Sequence, residues 1–209
     1  MLSFPQQKWQ VVRTNTLGTA PRSDVDLITD RVYLGNWDAA VDKKVLTKLG
    51  ITHVVSMVEF GPDIPDVVET ANRLHIRLND SADTNILCHL EETTNFIKTA
   101  LEANKNNKVL VHCLMGISRS ATVVCAYMIA TKKLTGAEAI AFVQKKRPIV
   151  CPNLGFRQQL NIFASKQGVQ ESLSEVMFSP LRQLRAWSNT KKPRREAQKA
   201  LGSTSYALP

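Results

Sequence analysis

Disulfide scaffolding and structural zinc are the first things this chain lacks material for. Its 209 residues hold four cysteines, at positions 88, 113, 125 and 151, and none forms a Cys-x-x-Cys pair. That spacing excludes a disulfide framework and a zinc ribbon, so no metal and no cofactor is expected. Long apolar runs are missing too. The longest, Ala121–Ala130, is about half of what a membrane span needs, so no membrane insertion is expected. Met1-Leu2-Ser3-Phe4-Pro5 has neither the basic start nor the apolar stretch of a signal peptide. Leu at position 2 cannot accept a myristate.

Acidic residues run short at one end. Residues 180–209 carry seven Lys or Arg against Glu196 alone, so six of the nine net positive charges sit there. The preceding residues are close to neutral. Aromatics make up 6% of the chain, and Trp187 stands alone among the basic residues. A nucleic-acid surface with stacking platforms is therefore disfavoured. Lys191-Lys192-Pro193-Arg194-Arg195 fits a targeting patch or a solvated tail better.

An apolar fraction of 44% still allows a full core. Residues 1–25 show no lasting period and read as an N-terminal arm. Residues 169–209 read as a basic, largely disordered tail, with a helical piece near Leu181–Trp187. Between them, residues 26–168 alternate strand and helix patterns. Leu27-Ile28 and Val32–Gly35 flank a turn, as in a hairpin. Asn36 caps one helix running to Gly50. Ile51–Val58 is a continuous β-branched run, as in a strand buried on both faces. A short helix is expected within 66–72. Leu74–Leu78 alternates like a strand near a sheet edge. Leu90–Ala103 repeats at helical spacing, and Val109–His112 is the central strand. Thr135 and Glu138 form a capping box, and Arg147-Pro148 ends that helix. Pro152-Asn153 opens the last one. The implied fold class is α/β: a central, mostly parallel, twisted sheet of about five strands flanked by helices.

The chemistry concentrates in His112-Cys113-Leu114-Met115-Gly116-Ile117-Ser118-Arg119-Ser120. This segment joins an apolar strand to an apolar helix. Backbone N–H groups at such a junction gather at a helix N-terminus and favour an anion. A thiol placed there loses its proton easily, and an arginine grips a tetrahedral oxyanion with a two-pronged fork. A Walker-type loop would end in Gly-Lys-Ser/Thr, which is absent.

The Cys-x5-Arg spacing, with Ser120 following, resembles the signature of the protein tyrosine phosphatase superfamily, and specifically its dual-specificity branch. Asp30–Asn36, Gly50–Val55 and Pro152-Asn153-x-Gly155-Phe156-x-x-Gln159-Leu160 resemble further stretches of the small, atypical members. The resemblance covers roughly residues 26–166. It implies a phosphoprotein phosphatase acting on phosphotyrosine and on phosphoserine or phosphothreonine through a phosphocysteine intermediate. Cys113 would be the nucleophile. Arg119, with the N–H groups of Leu114, Met115, Gly116, Ile117 and Ser118, would hold the phosphate. Ser120 would hydrogen-bond the thiolate, unless it only satisfies the first helical turn. His112 would orient the loop or be a plain core histidine. The general acid would be Asp80, directly after a strand, in preference to Asp83. Asn153 reads as a helix cap. A reversible Cys88–Cys113 disulfide is a further option under oxidation.

Other readings stay open at this point. Leu114–Ser118 contains no Lys or Arg, which argues against highly charged lipid or inositol phosphates. An RNA 5′-phosphatase would draw on the basic tail. A non-catalytic phosphate-binding protein would be expected to have lost the cysteine or the arginine. The partners expected are phosphoprotein substrates. A nucleophilic thiol calls for a reducing compartment, so the cytoplasm or nucleus is the expected location.

Overall fold

The computed structural model describes residues 24–169. The N-terminal arm and the basic tail, with its proposed helix and targeting patch, lie outside the described residues. Five strands and six helices follow in chain order. They are β1 (Val25–Leu27), β2 (Val32–Gly35), α1 (Trp37–Val41), α2 (Lys43–Leu49), β3 (His53–Met57), β4 (Arg73–Ile76), α3 (Leu87–Ala103), β5 (Val109–His112), α4 (Arg119–Lys132), α5 (Gly136–Lys146) and α6 (Leu154–Lys166).

The sheet order is β1-β2-β5-β3-β4. Only the β1–β2 hairpin is antiparallel; the other three pairings are parallel. The chain thus has the α/β fold, with a mostly parallel five-stranded sheet. β5 is central and buried at all four positions. Its residues alternate between two cores. Leu110 joins Ala40, Leu46, Ile51 and Val54 under α1 and α2. Val109 and Val111 face the larger core with α3, α4, α5 and α6. α4 is buried along most of its length because it is apolar nearly all round, and the other helices of that layer surround it.

Two expected boundaries change. The single helix from Asn36 to Gly50 is two helices. Asn36 does cap the first through Ala39 N. Asp42 then sits in extended backbone and caps the second through Lys44 N and Val45 N. An aspartate side chain that competes for backbone N–H groups breaks the helix there. The short helix within 66–72 shrinks to one 3₁₀ turn, Thr70–Asn72. The capping box of α5 forms as its spacing implies, with both reciprocal bonds present.

Register carries this architecture to the site. His112 lies beside Gly35 of β2 and Ser56 of β3. The carboxyl ends of the three central strands therefore share one edge, where α/β sheets place their ligands.

Candidate active site

Cys113 leaves β5 at that edge, and α4 begins at Arg119. The loop between them turns inside out, and its carbonyls show why. Leu114 O accepts from Trp37 N at 3.2 Å. Met115 O accepts from Arg147 Nη2 at 3.4 Å and Gly116 O from Arg147 Nε at 3.0 Å. Ile117 O accepts from Cys151 N at 2.9 Å. Each carbonyl is held from outside the loop, which turns the intervening N–H groups toward the thiol. Gly116 N donates to Cys113 Sγ at 3.2 Å. Gly116 has φ +66, and a Cβ there would lie 2.5 Å from Gly35 O. Only glycine fits without moving the loop.

The thiol is buried, and burial pushes its pKa up. The Ser120 hydroxyl, the N–H groups of Ser120 and Ile117, and the Arg119 charge more than offset this, so the net direction is below the ordinary thiol value. Ser120 Oγ donates to Cys113 Sγ at 3.2 Å. Cys125 makes the contrast. It is fully buried in α4, and burial drives its pKa up. The four thiols are free, with Cys88 exposed and Cys113 buried.

Arg119 is 6% exposed. Its Nη1 donates to Leu78 O at 3.1 Å and lies 4.0 Å from Glu59 Oε1. Its Nε is buried without a hydrogen bond. Asp80 Oδ2 is 3.5 Å from that Nε, close enough for charge attraction but outside hydrogen-bond geometry. A buried N–H without a partner is costly and is available to an oxyanion.

The structure separates the two candidate acids. Asp80 Oδ1 accepts from Ser118 Oγ at 2.7 Å and from Asn153 Nδ2 at 2.9 Å. Its carboxyl thus stands against the loop and beside Arg119. Asp83 is exposed and accepts from the neighbouring Ser81 hydroxyl, which holds it below the usual carboxylate range. It has the character of an ionised turn residue, not of an acid aimed at the loop.

His112 is fully buried. Its Nδ1 meets the Cys113 carbonyl at 3.4 Å and its Nε2 meets Ser56 Oγ at 2.7 Å. A carbonyl only accepts, so Nδ1 carries the proton and Nε2 accepts from the serine. Burial lowers its pKa to about 4, so the ring is neutral at pH 7.

Two residues of this site were not read as functional in the sequence, although Asn153 resembles a family position behind the loop as much as a helix cap. Asn153 caps α6 through Phe156 N and also ties down Asp80. Arg147 reads as the end of a helix. Here it is 2% exposed, holds two loop carbonyls and pairs with Asp26 Oδ2 at 2.6 Å. Its partner lies 121 residues away, beyond any local pattern.

Comparison with known proteins identifies the family. Residues 32–166 match the family model described as dual specificity phosphatase, catalytic domain. The chain belongs to the dual specificity phosphatase family. It is 33% identical over 141 residues to the tyrosine-protein phosphatase yvh1 of Schizosaccharomyces pombe, covering 68% of this chain and 42% of that protein. It is 37% identical over 135 residues to dual specificity protein phosphatase 1 of Arabidopsis thaliana, covering 64% and 66%. The chain therefore spans under two thirds of the length of these curated relatives. The crystal structure of DUSP15 superposes with a TM-score of 0.64 at 33% identity, covering 69% of this chain and 91% of that one. The domain found here is thus a cysteine-dependent dual specificity phosphatase domain.

Proposed function

We propose that this phosphatase hydrolyses phosphotyrosine and phosphoserine or phosphothreonine in proteins, with residues 26–168 as its catalytic unit. The observation that carries the reading is Cys113 Sγ, buried at the N-terminus of α4 and hydrogen-bonded by Ser120 Oγ and Gly116 N. The substrate phosphate sits over the thiolate, held by the N–H groups of Leu114–Ser118 and by the Arg119 guanidinium. Cys113 attacks phosphorus, forming the S–P bond as the P–O bond to the substrate breaks. Asp80 gives its proton to the departing oxygen. Water then attacks phosphorus and returns a proton to Asp80, while the S–P bond breaks and restores the thiolate. Ser120 stabilises that leaving thiolate. The Ser118 side chain, Asn153 and His112 hold the reacting groups in place without touching substrate.

A thiolate nucleophile survives only where thiols stay reduced, so we place the protein in the cytoplasm or nucleus. Among the described residues no helix is long and apolar enough to cross a membrane.

The test is hydrolysis of a small aryl phosphate in chelator and reductant. Turnover by the wild-type protein that Cys113→Ser abolishes is the expected result. Absence of turnover, with phosphopeptides still bound tightly, would replace the enzyme by a binding module.

A further inference from the structure

Apolar side chains surround one side of the phosphate loop, although none is needed to hold a phosphate. Leu114, directly after Cys113, is 46% exposed, and Met115 is 48% exposed. Phe60, just past the end of β3, is 55% exposed. Trp37 connects them. Its ring lies 5.2 Å from that of Phe60, and its backbone N–H is bonded to Leu114 O. Its ring centroid also lies 6.2 Å from that of His112, in an edge-on arrangement at the loop's base. An exposed aromatic pair is thus tied by a backbone hydrogen bond to the residue that follows the nucleophile, and we call Trp37, Phe60 and Leu114 together the shelf.

Apart from Arg119, which holds the phosphate, the segments that build this side carry charge of one sign. The three segments that build it, 36–41, 58–63 and 114–118, contain Asp38, Glu59 and Asp63 and no Lys or Arg. Glu59 is 54% exposed and lies 4.0 Å from Arg119. An acidic residue beside the phosphorylated one would meet Glu59 with no cation to spare. An apolar residue would meet Phe60, Trp37 and Leu114. Neighbouring residues of a substrate are 3.8 Å apart at Cα, so a flanking side chain reaches the shelf while the phosphate is on the loop.

We propose that the shelf of Trp37, Phe60 and Leu114, with Met115 at its edge, seats an apolar side chain flanking the phosphorylated residue of a polypeptide substrate. This specificity rests on the phosphatase reading above. The occupant follows from continuity: the shelf begins one residue from Cys113, so what lies on it is joined to the phosphate being cleaved.

The test uses phosphotyrosine peptides identical except for one flanking residue, Leu, Ala or Glu, placed before or after the phosphotyrosine in turn. An aryl phosphate runs alongside. At one of the two positions kcat/KM is expected to fall in the order Leu, Ala, Glu. The Leu-to-Ala ratio should be about 5 to 10, as for a side chain half-buried on a surface. In Phe60→Ser, a change at an exposed position, that ratio should fall toward one. A ratio near one at both positions in the wild-type protein, or one undiminished in a folded Phe60→Ser, would overturn the shelf. Failure to turn over the aryl phosphate would sink the phosphatase reading and the shelf with it; aryl turnover with flat peptide ratios would sink the shelf alone.

Discussion

Replacing Ser120 by alanine removes one hydrogen bond from the Cys113 thiolate and almost no volume. Both residues are essentially inaccessible to water, at 0% and 1% exposure, so solvent cannot replace the lost donor. A hydrogen bond to a charged partner contributes about 1.5–3 kcal/mol. Ser120 is the foremost of the groups that lower the thiol pKa against the opposing effect of burial. Its loss raises that pKa. Below the wild-type midpoint the thiolate population should drop about tenfold to a hundredfold. The assay is the pH dependence of Cys113 alkylation by iodoacetamide. It is read by mass spectrometry on the Cys113 peptide, because Cys88 and Cys151 are exposed and react as well. The midpoint should move to higher pH. The same change makes the thiolate a poorer leaving group, so acid quenching should trap more phosphocysteine in the variant. An unmoved midpoint in a folded Ser120→Ala protein would refute the reasoning. Ser120 would then be an ordinary first-turn serine, and the helix N–H groups and Arg119 alone would hold the thiolate.

Asp80→Ala should slow hydrolysis of poor leaving groups by about 10²- to 10⁴-fold and spare good ones, read as the slope of log kcat/KM against leaving-group pKa. Asn153→Ala should tilt the same slope less, because Ser118 Oγ still holds the carboxyl. Arg147→Leu orphans two loop carbonyls and leaves Asp26 unpaired; the partial exposure of Asp26 softens the loss to about 2–4 kcal/mol, measurable by urea unfolding. Binding of an oxyanion such as tungstate should weaken in the same variant. His112 has a folded pKa of about 4, below the ordinary 6.5. Its contribution to stability is therefore complete above pH 6.5 and is lost as pH falls toward 4, on the order of 3 kcal/mol in all. Unfolding free energies across that window should decline with acid, and His112→Gln should flatten the decline.

Much of the catalytic loop was legible in the residues themselves because its chemistry is local. Cys113 and Arg119 are close in the chain, and the strand before and the helix after are set by apolar patterns of a few residues. The Thr135–Glu138 capping box is local in the same sense. The break at Asp42 was missed although its cause is also local. The apolar spacing of Ala39, Ala40, Val45 and Leu46 runs through it, because α1 and α2 cover one continuous core.

What only the tertiary structure decided depends on contacts far apart in the chain. The resemblance favoured Asp80 over Asp83 by its place directly after a strand, but the letters of the polar loop do not show what either side chain touches. Packing separates them: Gly155 of α6 lies against Ala82, where a Cβ would clash with its carbonyl, and this brings Asn153 within reach of Asp80. Arg147 looks like a helix end until β1 supplies Asp26 and the loop supplies its carbonyls. Trp37 and Phe60 become one surface only because parallel pairing through β5 brings the ends of β2 and β3 to the same edge. Local hydrogen bonding and periodicity are written within a few residues and wrote the nucleophile, its arginine and the helix that follows. The acid, its tether and the shelf are products of sheet register and helix packing, interactions that no short stretch of the chain contains.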